Sequence, residues 1–504
     1  MAKHPGLFYM EDLEELFVDV QHQKIFPDQK TFVDCVPKFP ANEIIEKYRA
    51  YKKQDPQDLL NFILANFTLP IAVQQPAHTA KYTIDDHISY LWNILSRDAN
   101  KNGGTLIALP QPSIVPGGRF REIFYWDTYF TMLGLQVAGL IDKIEAMVDN
   151  FAYLINTFGL IPNGNRSYFL TRSQPPFFSH MVELLAQEKG ESVLVKYLPQ
   201  LTAEYKFWLN GSDLLTPEDP AQEHTVLVNN NHILNRYWDE LNTPRVEGYA
   251  ADLKTHAAAS ADPSDHYRHV RGACESGWDF SGRWFKDGLH IQSIHTCELL
   301  PVDLNSLLWH LEQTLAKAYL LDDKPETASN YEQRAAKRTI AIETLLWNSD
   351  EQVYTDYDFV QKKSSGAVTM AMAYPLFCGI ASQEHADMVL DRMEKDFLHT
   401  GGLVTTLVET GQQWDAPNGW APLQWIGYKA AINYKRKSLA NKIAQNWMQN
   451  VEHVFATTGK LMEKYNVIDT TLKAGGGEYQ NQDGFGWTNG VYVKLKDLQK
   501  INHT

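Results

Sequence analysis

The sequence predicts an all-α chain whose helices close into a toroid of antiparallel pairs, with long loops gathered at one end. Three observations carry that expectation. Apolar residues recur with helical period from about residue 80 to about residue 500. Convincing alternating strands are few. No repeat of fixed period is visible, which favours a closed ring over the runner-up, an open helical solenoid.

Element by element, residues 1 to about 80 mix short apolar runs with Pro and charges, and helices are expected near 42–53 and 58–66. Ile84, Ile88, Leu91, Trp92 and Leu95 then share one face, as do Leu304, Leu307, Leu308, Leu311 and Leu315 behind Asp303, the expected N-cap. Ile443, Trp447, Val451 and Phe455 repeat at i, i+4. Further helices are expected at 127–140, 143–157, 177–188, 194–209, 325–347, 367–380, 383–396, 421–434 and 488–500. About twelve helices with connections of varying length make one barrel with a concave end. The segment 210–275 has the weakest periodicity and reads as an excursion or lid over that end, or as a plain insertion. We divide the chain into an N-terminal extension, 1–60, packed on the barrel, and a barrel domain, 61–504.

A net charge of −15 argues against nucleic acid as a partner, because binding phosphate needs clustered cations. It suits a small neutral ligand. The four cysteines, Cys35, Cys274, Cys297 and Cys378, are far apart and form no Cys-x-x-Cys, so they read as reduced thiols rather than a disulfide or zinc framework. No stretch is apolar enough to span a membrane, and the N-terminus does not read as a signal peptide. A cytoplasmic monomer is the expectation.

Four times a Trp is followed by Asp, at Trp126-Asp127, Trp238-Asp239, Trp278-Asp279 and Trp414-Asp415, where random order would give about one such pair. The spacing is too irregular for a propeller of repeated blades. A flat apolar ring beside a carboxyl suits a polyhydroxylated ligand, because the ring stacks on C–H faces while the carboxyl binds hydroxyls or moves a proton. Asp279, set between Trp278 and Phe280, is a candidate general acid, since apolar neighbours raise a carboxyl pKa; it could equally pair with Arg283, four residues on. Glu478 follows three glycines and could activate water from a loop able to approach a ligand closely. Arg119, Arg172 and Arg245 lie in loops, and each offers a planar fork of donors that can span two sugar hydroxyls. There is no Gly-x-Ser-x-Gly, phosphate loop or dinucleotide fingerprint. Two carboxyls in aromatic loops, with Arg donors and no cofactor motif, add up to a glycoside hydrolase.

The loops also carry a resemblance. Pro116-Gly117-Gly118-Arg119-Phe120-Arg121-Glu122 running to Trp126-Asp127, Gln413-Trp414-Asp415-Ala416-Pro417-Asn418-Gly419-Trp420, and the Gly475–Gly490 loop resemble the signatures of the α,α-trehalase family of glycoside hydrolases. Ile25-Phe26-Pro27-Asp28 and Lys30-Thr31-Phe32-Val33-Asp34 resemble its bacterial, particularly cytoplasmic, members. The resemblance implies an (α/α)6 barrel that hydrolyses trehalose to two glucoses with inversion, without metal or organic cofactor. It implies Asp279 as general acid and Glu478 as general base. The sugar contacts it implies are Arg119, Phe120, Trp126, Asp127, Asn163, Arg172, Ser173, Gln174, Arg245, Glu247 and Gly277. The family's Arg-Pro-Glu reads Arg245-Val246-Glu247 here. A helical-barrel glycosidase for another glucosyl disaccharide and a non-catalytic sugar-binding relative remain the alternatives.

Overall fold

The computed structural model describes residues 3–51, 56–70, 82–99, 103–229, 231–259 and 262–501. Twelve helices build the barrel: α1 (Ile84–Ile94), α2 (Tyr125–Val137), α3 (Ile141–Phe158), α4 (Phe178–Lys189), α5 (Leu198–Trp208), α6 (Val302–Leu321), α7 (Pro325–Ala341), α8 (Tyr374–Cys378), α9 (Gln383–Arg392), α10 (Ala421–Asn433), α11 (Lys437–Thr458) and α12 (Gly486–Ile501). The even-numbered helices form an inner ring in which each packs on the next and α12 returns to α2; the odd-numbered ones lie outside. This is an (α/α)6 barrel. Its apolar core runs continuously from Ile88 to Leu495.

Local chemistry marks the helix ends. Thr83 and Asp86 form a reciprocal capping box on α1, and Ser382 caps α9 through the amide of His385. Proline stands in the first turn of α5, α7, α8 and α10, where its missing N–H costs nothing. Gly159 and Gly459 end α3 and α11 with left-handed backbone.

Several expectations shift. Asp303 is not the cap of α6, because Pro301 takes that place; Asp303 lies inside the first turn, where its carboxylate holds Arg283 at 2.8 and 3.0 Å. The helices expected at 325–347 and 383–396 end early and finish in wider π turns, Ile342–Leu346 and Met393–Phe397. The helix expected at 42–53 runs Ala41–Ala50, and its last two expected residues lie outside the described ones. Within 210–275 a three-stranded sheet (Ala221–Gln222, Thr225–Val228, His232–Asn235) leads to helices Tyr249–Ala257 and Pro263–Glu275.

The N-terminal residues form a second apolar cluster, from Met10 to Phe67, that takes in Phe124, Tyr168, Phe169 and Val246 from the barrel loops. Buried ions lock it down. Lys30 Nζ lies 2.5 Å from Asp34 and 2.6 Å from Glu122, while Arg166 lies 3.4 Å from Asp34 and 3.5 Å from Glu122.

The seam between α12 and α2 is a glycine contact. A Cβ on Gly490 would stand 2.1 Å from the carbonyl oxygen of Phe130, and one on Gly134 would stand 2.6 Å from the Cα of Gly490. Gly490→Ala gains about 1 kcal/mol of helix propensity, yet forces two backbones apart at a cost of about 3 kcal/mol. A lower urea midpoint is the expected result; an unchanged or higher midpoint would show that the seam can open.

Candidate active site

Most loops of the concave end converge on two adjoining cavities. The inner one, about 80 Å³, is walled by Trp126, Trp414, Trp420 and Trp487, with Asp127, Gln174 and Glu463 among its polar groups. The outer one, about 520 Å³, is lined by Arg119, Arg172, Arg245, Glu247 and Glu478. Both share Phe120, Phe124, Asn163, Cys274, Asp279 and Tyr479 as wall, so Asp279 stands where they meet.

Asp279 follows helix Pro263–Glu275 through a tight turn at Gly277, whose φ is +75°. A Cβ there would lie 2.8 Å from the Trp126 indole, so only glycine fits. Trp278 stacks on Trp414 at 5.5 Å, and Trp414 on Trp420 at 4.0 Å, forming one pile of rings beneath the cavity. Asp415 fixes this loop by accepting from Ser281 Oγ and the Gly282 amide, both at 2.7 Å, and from Thr406 and Thr410. The possible pairing of Asp279 with Arg283 is not made: Arg283 is held by Asp303 and Asp356. Burial pushes the Asp279 carboxyl up to about 7; Arg245 pulls it down and the nearby Glu478 charge pushes it up.

The arginines are themselves tied. Arg172 donates to Glu247 at 2.7 Å and to Asp239 at 3.4 Å. Asp239 also meets Arg271, so the second Trp-Asp pair orients a cavity arginine rather than touching the cavity. Arg245 bonds Asp252 at 2.6 Å and reaches both oxygens of Glu478, at 2.9 and 3.4 Å. Burial alone would raise the Glu247 carboxyl, but Arg172, Arg245 and Arg271 outweigh it and hold it below the ordinary value. Burial drives Asp127 the other way, well above the carboxylate range, with Glu463 and Asp279 adding to the push.

Glu463 is the residue that sequence reasoning missed. It precedes a short strand, Lys464–Asn466, that pairs with Asn418–Trp420 and so brings it under the tryptophan pile. It is buried in the inner cavity wall and accepts from Tyr479 at 2.8 Å and from Lys464 Nζ at 3.2 Å. Lys464, itself buried, donates at 2.9 Å to Gln413, whose amide donates at 2.6 Å to the carbonyl of Asp279. Glu478, expected as the base, lines the outer cavity with both oxygens engaged by Arg245 and does not face the inner one.

Arg119, Phe120, Trp126, Asp127, Asn163, Arg172, Gln174, Arg245, Glu247 and Gly277 all border one cavity or both. Ser173 borders neither. Its hydroxyl donates to the carbonyl of Ile161 at 2.6 Å and its amide to Glu275 at 2.8 Å, so its side chain is spent on the loop. The N-terminal segment is not confined to packing either, since Phe26, Pro27, Asp28 and Gln29 line the outer cavity. Away from both cavities His295, Glu298 and Asp358 converge, but Lys286 already sits 2.8 Å from Glu298.

A trehalase family model matches residues 24–502. The periplasmic trehalases of Citrobacter koseri and Salmonella paratyphi B are each 45% identical over 96% of this chain and 86% of their own length. The neutral trehalase of Saccharomyces cerevisiae superimposes with a TM-score of 0.62 at 26% identity, covering 76% of this chain and 73% of that one. A mannosylglycerate hydrolase from Thermus thermophilus shares the fold at 15% identity, with a TM-score of 0.57 over 82% of this chain and all of its own. These relatives correct one expectation: a cytoplasmic placement, and a special likeness to cytoplasmic members, give way to relatives named as periplasmic. Among the described residues no helix is long and apolar enough to cross a membrane. With the matched family model and this identity over nearly its whole length, the chain belongs to the trehalase family of glycoside hydrolases.

Proposed function

We propose that the protein hydrolyses α,α-trehalose to two glucose molecules in one inverting displacement, with one ring in each cavity and the bridging oxygen at Asp279. The observation that carries this reading is the position of Asp279 at the junction of the two cavities, part-buried, where burial pushes its carboxyl up to about 7. As the bond stretches, Asp279 gives its proton to the bridging oxygen, and the outer glucose departs.

The base must reach a water on the face of the inner ring turned away from that oxygen. Glu463 meets that need, because its carboxylate lies in the inner wall among the tryptophans. Glu478, the base implied by family resemblance, sits on the leaving-sugar side in the fork of Arg245. We therefore assign the base to Glu463, and give Glu478 the task of orienting Arg245 and of holding the Asp279 carboxyl up. Inversion asks for about 6.5–9.5 Å between acid and base, enough for the water between them. Asp127, Asn163 and Gln174 bind the inner ring; Arg119, Arg172 and Arg245 bind hydroxyls of the outer one.

Proton NMR of a trehalose digest tests the reaction. Inversion gives α- and β-glucose in equal initial amounts, one from each ring. Only α-glucose at early times would mean retention, and no glucose at all would leave a sugar-binding protein.

A further inference from the structure

The N-terminal extension forms part of the wall of the outer cavity. Helix Glu14–Gln23 ends at Lys24, whose φ of +52° turns the chain sharply back, and Lys24 with Phe26 to Lys30 then line the cavity as a strap. Phe26 and Pro27 give this strap an apolar edge, with Phe26 stacked on Phe32.

The strap is held from several sides. Asp28 caps the short helix Gln29–Val33, accepting from the amide and the hydroxyl of Thr31, each at 2.9 Å. Gln29 Oε1 accepts from the amide of Ala250 at 2.6 Å, and Gln21 donates to the carbonyl of Gln29 at 3.1 Å. Lys30 is bound into the buried ion cluster with Asp34 and Glu122. Asp28 and Arg119 face each other at 3.5 Å, with side chains only 30% and 18% exposed. Arg119 in turn lies over the ring of Tyr479, 4.8 Å from its centroid. The strap and the loop carrying Tyr479 thus meet through one arginine.

Resting on the trehalase reading above, we propose that this strap determines specificity for the departing sugar. It forms one wall of the outer cavity, and the Asp28–Arg119 pair presents an acceptor and a donor to the hydroxyls of the ring held there. The proton-transfer groups lie at the junction and in the inner wall, on the far side of the outer ring. The strap therefore affects how tightly the leaving half is held, and adds binding energy only for substrates that have such a half.

A pair of substrates isolates this role. Trehalose fills both cavities, whereas α-glucosyl fluoride fills the inner one and releases a fluoride ion that needs no sugar site. Asp28→Asn keeps a good helix cap and removes the charge facing Arg119. The expected result is a fall of about tenfold in the ratio of kcat/KM on trehalose to kcat/KM on the fluoride, carried mainly by KM, as for one lost charge-assisted contact. Phe26→Ala, which leaves the cap intact, should move the same ratio in the same direction. A ratio within twofold of that of the unsubstituted protein for both variants overturns the proposal, since a merely structural strap would lower both activities together. Failure of the trehalase reading looks different: unsubstituted protein would leave trehalose intact, and both readings would fall.

Discussion

Asp279→Asn lowers trehalose turnover by about three orders of magnitude, with little change in KM or thermal midpoint. A positioned general acid contributes about 10²- to 10⁴-fold, and a sugar alkoxide leaving without a proton belongs near the upper half of that range. The fold should persist because the hydrogen bond that Gln413 makes in this turn goes to the Asp279 carbonyl, which the substitution leaves alone. The pH dependence adds a second signature. The acid works only while protonated, and burial holds its carboxyl up to about 7. Turnover should therefore fall about tenfold per pH unit above 7, and the asparagine variant should lose that limb. Retention of more than a tenth of normal turnover would remove Asp279 from the role.

Glu463→Ala should cost a similar factor, and here a small anion separates the two candidate bases. Truncating the base leaves room in the inner cavity for azide, which needs no deprotonation to attack the anomeric carbon. Azide should therefore restore turnover and yield β-glucosyl azide, the inverted product, while Asp279 still protonates the leaving glucose. Glu478→Gln should behave otherwise. It removes a negative charge near Asp279 and frees Arg245, and both changes lower the carboxyl pKa of the acid. Its high-pH limb should then move to lower pH, with no azide adduct. An adduct formed by the Glu478→Ala protein and not by Glu463→Ala would restore Glu478 as the base.

What the sequence made legible follows from how local each signal is. Helical period and caps need only a few neighbouring residues, so the faces of α1 and α6 and the extent of α10 could be read directly. Asp303 misled because a carboxyl at the start of a helix reads as a cap whether or not it bonds the backbone. In the site, Trp126, Asp127, Gly277 and Asp279 were legible as members of unusual strings. Ser173 was carried along by its string, although its hydroxyl turns inward. Glu463 was hidden because Leu461-Met462-Glu463-Lys464-Tyr465 reads as ordinary chain. Its place depends on pairing with Asn418–Trp420, a contact between distant segments that no local pattern announces. The strap from Lys24 to Lys30 was hidden for the same reason.

The glycine seam has a bearing on how this molecule is made. The first helix of the inner ring can find its last neighbour only after α12 has been made, because Gly134 and Gly490 lie far apart in the chain. Until then the backbone of α2 at Phe130 lacks its Gly490 neighbour, and the inner cavity lacks its Trp487 wall. Contacts this distant in sequence form slowly, and the partly made protein exposes apolar surface while it waits. A ribosome-bound chain should thus have no sugar chamber until α12 emerges, so catalytic competence arrives in one step rather than by increments.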